Sequence, residues 1–175
     1  MINSTLDPLS QVHAALWEML EADPEWCDMV PPGNRIKFSG KSVSPRKDQQ
    51  ASPADRPEVQ IRATAVIPKL YANSSSTEVT ARFEIQIATG EQGLDCSLFP
   101  VLWETIRAMH NAWGYLRQLT WGGMSKTFVH RVQATPGAIG VSQGDADRGM
   151  LWWSVLWGCE IDIGIPASLM IRSVE

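Results

Sequence analysis

Alternation and helical spacing together point to an α+β domain: an antiparallel or mixed β-sheet covered by two amphipathic helices, with a long irregular arm. Over residues 151–165 every odd position is apolar, from Leu151, Trp153, Val155 and Trp157 to Cys159, Ile161, Ile163 and Ile165. A period of two marks a strand with one face committed to a core. The same rule holds over 59–67 and 79–87, while 9–20 and 97–119 repeat apolar residues at the three- and four-residue spacing of a helical stripe.

The elements follow in order. Asp7 and Pro8 read as the N-cap and first residue of a helix whose apolar positions are Leu6, Leu9, Val12, Leu16, Met19 and Leu20. It stops near Ala22, where Asp23 and Pro24 begin a short turn through Trp26 and Met29. From 30 to 57 the pattern gives way to Pro, Gly, Ser and charge, and only Arg35 to Phe38 suits a short strand. The arm, 39–57, holds Lys41, Arg46, Lys47 and Arg56 against Asp48 and Asp55, with no apolar side chain larger than Val43. Such a segment buries too little to fix one conformation alone in water.

Residues 58–68 and 77–90 are predicted antiparallel partners. Val59, Ile61, Ala63, Ala65 and Ile67 face inward with Val79, Ala81, Phe83, Ile85 and Ile87, while Gln60, Arg62, Thr64, Arg82, Glu84 and Gln86 face solvent. Pro68 ends the ladder. A helix over 97–119 then lays Phe99, Leu102, Trp103, Ile106, Met109, Trp113 and Leu116 on the sheet. A strand over 127–134 and a Gly-rich loop over 135–148 lead into the last strand. That strand would span roughly 50 Å at about 3.3 Å per residue, against a radius of gyration of about 16 Å for a chain this long. It must therefore bend or protrude, and Gly158 is the natural bulge. A slip of one residue would turn Glu160 and Asp162 into the core, which fixes the register.

Composition sets limits. A length of 175 residues suits one domain over 1–175, and a net charge of -4 argues against nucleic acid as the main partner. Cys27, Cys96 and Cys159 are far apart and read as reduced thiols. The opening MINSTLDPL lacks the basic and apolar regions of a signal peptide, and the most apolar stretch, 150–159, is too short to cross a membrane. The expected setting is a reducing cytoplasm, or a particle assembled there.

No residues are assigned to catalysis, a cofactor or a metal. His13, His110 and His130 are scattered, and the GDADRG stretch with Asp145 and Asp147 lacks the remaining ligands of a calcium loop. Glu160 and Asp162 share one strand face, where solubility is their expected role. Ser97, Ser125, Ser154 and Cys27 sit in no nucleophile elbow, and Gly122, Gly123 and Lys126 fall short of a phosphate loop. Trp152 breaks the parity of the last strand and is read as an interface residue.

The first helix with its Asp-Pro break (Leu9 to Pro24), the Pro-rich arm, the alternating pair 58–68 and 77–90, the helix LFPVLWETIRAMHNAW and the strand RGMLWWSVLWGCEIDIGIP together resemble the tail terminator proteins of tailed bacteriophages. The resemblance covers most of the chain as an order of elements, and its arm is longer than in the simplest members. It implies a structural virion protein without enzymatic activity, assembled in the host cytoplasm. Its subunits would form a homo-oligomeric ring, commonly a hexamer, that caps the tail tube and joins it to the head connector. Arg35, Lys37, Lys41, Arg46 and Lys47 would then reach a neighbouring subunit or line the channel through which DNA passes. Two other readings stay open: a head-completion or tail-tube adaptor protein, and a cytoplasmic small-ligand domain with Trp103, Trp113 and His110 lining a pocket.

Overall fold

The C-terminal strand is the spine of the sheet. The computed structural model describes residues 6–37, 57–69, 76–90, 98–110, 112–134, 140–143 and 152–170. In chain order it has helices α1 (Pro8–Glu21) and α2 (Pro24–Met29), a 3-10 turn (Pro32–Asn34), strands β1 (Arg35–Ile36), β2 (Glu58–Lys69) and β3 (Ser76–Gly90), and helices α3 (Leu98–Met109) and α4 (Ala112–Leu116). Strands β4 (Val129–Ala134), β5 (Gly140–Gln143) and β6 (Trp152–Pro166) and a last helical turn α5 (Ala167–Met170) follow. The strands make one mixed sheet ordered β1-β2-β3-β6-β4, with β5 also on β6. Among the described strands only the two-residue β1–β2 pairing is parallel. The fold is thus α+β, as the alternation predicts.

β3 and β6 pair in unbroken register from Ser76 opposite Pro166 to Gly90 opposite Trp152. The bulge expected at Gly158 is therefore absent: Gly158 simply faces Glu84. The other edge of β6 is shared instead, β5 taking Trp153 to Leu156 and β4 taking Cys159 to Ile163. The interruption falls between these two partners, opposite Trp157 and Gly158. β5 itself lies inside the segment expected to be only a loop.

Apolar parity holds along the described part of β6 and along β3 from Ala81 to Ile87. Cys159, Ile161, Ile163 and Ile165 are buried with Ala81, Phe83, Ile85 and Ile87 of β3 and Val59 and Ile61 of β2. Val12, Leu16 and Leu20 of α1, Trp26, Val101, Met109 and Leu116 close the core over them. Each of the large aliphatic and aromatic side chains among them contributes about 1.5 to 3 kcal/mol by leaving water. The odd-position rule fails in β2, however. A bulge at Thr64, between Ala63 and Ala65, shifts the parity by one, so Ile67 falls opposite Thr80 and is 44% exposed. Ala63, expected inward, is exposed as well.

The helix starts are as expected. Asp7 caps α1 by accepting from the Ser10 backbone N–H at 3.0 Å, and Asp23 caps α2 by accepting from Trp26 N–H at 3.0 Å. Partial burial works against ionised Asp7, but the Ser10 hydrogen bonds outweigh it and hold the carboxyl below its ordinary pKa.

The second helical segment needs two corrections. It is not one rod over 97–119 but two helices, α3 and α4, with a turn at His110. Its core face is also rotated at the N-terminal end: Met109 and Leu116 are buried as expected, but together with Val101, Glu104, Thr105, Ala112 and Leu119, whereas Phe99 and Trp103 are 62% and 65% exposed. The cause is polar. Trp26 donates its indole N–H to the Thr105 hydroxyl at 3.1 Å, and Arg107, paired with Glu104, bonds Asp23 at 2.9 Å and Glu25 at 3.0 Å. These contacts with α2 turn Thr105 inward and carry the aromatic pair to the outside.

Candidate functional site

Among the described residues two apolar surfaces stand out without a partner. The first is a ridge on α3, where Phe99 and Trp103, four residues apart, share one outward face. The helix is fastened beneath them by Thr105 and beside them by Arg107, so the ridge is presented on a rigid element. The second is an open groove of about 710 Å³ between the first half of α1 and β2. Leu6, Leu9, Ala14, Ile61, Ala63, Val66 and Phe83 give it apolar walls, and Ser10, His13 and Arg62 supply its polar atoms.

Local sequence explains the groove. β1 pairs with Val59 and Gln60, and among the described residues β2 has no outer strand beyond that point. His13 binds the Ile61 carbonyl at 3.2 Å just past that point, its ring 6.4 Å from that of Phe83. The bulge at Thr64 then turns Val66 toward the groove, where it remains 46% exposed. Arg62 is exposed at the rim and has no ion pair among the described residues.

The predicted cations divide. Arg35 turns inward with its side chain 11% exposed, donating to Val30 O at 2.9 Å, pairing with Glu21 and lying 5.2 Å over the Trp26 ring. It fastens the start of the arm to α1 and α2. Lys37 is half-exposed, also paired with Glu21, and 5.5 Å over the ring of Trp17. Trp17 is buried beneath it, and among the described residues its indole N–H has no hydrogen-bond partner. Lys41, Arg46 and Lys47, Cys96, the Asp145–Asp147 stretch and the arm short of Pro57 lie outside the described residues, as do the side chains of Trp113, Trp152, Trp153 and Trp157.

Glu160 and Asp162 lie on the solvent face of the sheet, as expected, within a lattice of opposite charge. Arg131 bridges them, at 2.7 Å to Asp162 and 3.3 Å to Glu160, while Arg82 holds Glu160 at 2.9 Å and Thr80 donates to Asp162 at 2.7 Å. Partial burial raises the Asp162 pKa, but the hydrogen bonds from Thr80 and Arg131 outweigh it and keep the carboxyl low. Acid–base chemistry needs a carboxyl poised near the working pH, and these bonds move Asp162 away from it.

The ligand pocket expected around Trp103, Trp113 and His110 is not formed by the two of these that are described: both Trp103 and His110 point to solvent. The groove lies on α1 and β2 instead. Periodicity missed it because the two signals that make it, a bulge and the early end of a parallel edge strand, leave no mark in apolar spacing. No protein-family model matches the chain, and no curated protein matches it with significance.

Proposed function

We propose that the chain is the subunit of a ring that caps the tail tube of a tailed bacteriophage and joins it to the head connector. One observation carries this reading: a single subunit presents two dissimilar apolar surfaces, the α3 ridge and the α1/β2 groove. Contacts between unlike patches are head-to-tail, and head-to-tail contacts close into rings when the rotation between neighbours allows. The order of elements expected from the resemblance, helices, short strand, long antiparallel pair, helix, strand and long closing strand, supports the same reading.

The remaining features fit a mechanical part. A fifteen-residue β3–β6 ladder gives a stiff plate, and Arg35 anchors the root of the arm so that its basic residues start from a defined place. In the ring the half-exposed Lys37, with Lys41, Arg46 and Lys47, faces an adjoining subunit or the DNA channel. Native mass spectrometry and electron micrographs of the purified chain test the proposal. Rings of about six subunits with a central hole are expected; a chain that stays monomeric at high concentration and is missing from virions overturns it.

A further inference from the structure

Among the described residues, the large exposed apolar side chains are Val66, Ile67, Phe99, Trp103 and Tyr115. Tyr115 has a local partner, its hydroxyl donating to Glu18 at 3.0 Å. Of the other four, Phe99 and Trp103 form the ridge on α3 and Val66 lines the groove, whereas Ile67, next to it on β2, points to the opposite face of the sheet. Neither Phe99 nor Trp103 lines the groove of its own chain.

Resting on the ring reading, we infer that Phe99 and Trp103 of one subunit seat in the α1/β2 groove of the next. An apolar protrusion and a complementary hollow elsewhere on the same molecule make a head-to-tail contact. The groove is open along its length, whereas sites for small molecules enclose most of their ligand. It therefore suits a helix-borne ridge.

The chemistry of the two sides matches. Leu6, Leu9, Val66 and Phe83 give the groove an apolar floor, and among the described residues no acidic side chain lines it. Arg62 stands at its rim, opposite Glu84 in the ladder but in no ion pair among the described residues, and an arginine not held by a carboxylate is suited to lie over an indole face. Trp103 offers that face, with 65% of its surface free. Aromatic side chains bury about 150 to 250 Å² each, so the two exposed rings supply roughly 200 to 300 Å² of contact. A stable interface needs about 800 Å² per partner, and its energy is concentrated in a few central aromatic and arginine residues. Phe99, Trp103 and Arg62 are such a centre, with the flanks of α3 and α1 as its surround.

The test uses the full chain and four variants: a ridge variant, Phe99→Ser with Trp103→Ser; two groove variants, Ala63→Glu and Val66→Glu; and Arg62→Ala. The substituted positions are all exposed, and circular dichroism confirms folding. Ridge and groove variants should each fail to form rings, with the contact weakened at least about 30-fold. Arg62→Ala should weaken it about two- to fivefold. A mixture of ridge and groove variants should give a one-to-one dimer and nothing larger, because only one intact ridge and one intact groove meet. Rings of wild-type chain that persist in the ridge variant, or in both groove variants, overturn this contact and leave the ring reading standing. Closed two-fold dimers abolished by both kinds of variant support the contact and overturn the ring. A wild-type chain monomeric at every concentration overturns both.

Discussion

The imidazole of His13 on α1 meets the carbonyl oxygen of Ile61 on β2 at 3.2 Å, one residue past the stretch of β2 that β1 pairs. β1 covers Val59 and Gln60, and just past that pairing the Ile61 carbonyl has no strand partner on this edge among the described residues. A carbonyl can only accept, so Nε2 carries the proton and donates. Further along, the bulge at Thr64 and the ring of Pro68 make the edge a poor template for another strand. The edge is thus closed to strand addition while its apolar side chains stay available.

Replacing His13 by Ala removes that donor. The expected loss is about 0.5 to 1.5 kcal/mol of stability, the net worth of one intramolecular hydrogen bond, read as a lower urea midpoint with an unchanged slope. Amide exchange should rise along β2 more than along β6.

Thr105 joins α2 to α3 through a buried relay: it accepts from Trp26 Nε1 at 3.1 Å and donates to Val101 O at 2.7 Å. Thr105→Val keeps the shape but leaves the indole N–H of fully buried Trp26 unpaired, at a cost of about 1 to 3 kcal/mol. Thr105→Ser restores the hydroxyl and should recover most of the loss. Equal destabilisation by Val and Ser in chemical unfolding would show that packing, not the hydrogen bond, sets the cost.

These two bonds also mark where the sequence stops being legible. The β2–β3 pairing and the long extended form of β6 were readable because one side chain in two is apolar over long runs, whereas the pairing of β6 with β3 was not, since parity does not name a strand's neighbour; Asp7-Pro8 and Asp23-Pro24 announce their helices by cap chemistry. The face of α3 was not readable, because Val101, Thr105 and Met109 are as well spaced for a core stripe as Phe99, Trp103 and Ile106. Trp26 and Arg107, distant in sequence from Thr105 and Asp23, decide between them. The exposure of Ile67 depends on one inserted residue at Thr64, and neither polarity nor propensity marks it.

The charge lattice on the outer sheet face makes stability depend on pH. Asp162 has a folded pKa below that of the free side chain, about 3.9, so its contribution is fully present above that value. It is lost as pH falls below about 4 through the folded pKa. Thermal melts from pH 6 to pH 2.5 should therefore show a smaller decline for Asp162→Asn than for wild type, since the variant has no carboxyl to protonate there. Arg131→Gln, which removes the bridging cation, should likewise flatten the acid limb.

Burial in the sheet core pushes the Cys159 thiol up to about 12, against a small opposing contribution from a hydrogen bond with the Phe83 backbone. The thiolate is the reactive form, and it is scarce at neutral pH for such a group. Cys159 should resist iodoacetamide at pH 8 in the folded chain and label only on denaturation, as peptide mass mapping would show. Native labelling as fast as in denaturant would mean that β6 opens readily.

The rotation of α3 gives the sharpest contrast in stability. Trp103 is 65% exposed and Met109, six residues on, is 3% exposed. Trp103→Ser should shift unfolding by no more than about 0.5 kcal/mol, as for an ordinary surface substitution. Met109→Ala should cost about 2 to 5 kcal/mol, the transfer of the lost methylenes plus the cavity left behind. Both are read by denaturant titration of the monomeric chain, so that assembly does not add to the apparent stability. A helix seated on the stripe of Phe99 and Trp103 would give a large loss for Trp103→Ser as well. The larger indole buries more area than the thioether chain, so its truncation would then match or exceed that of Met109.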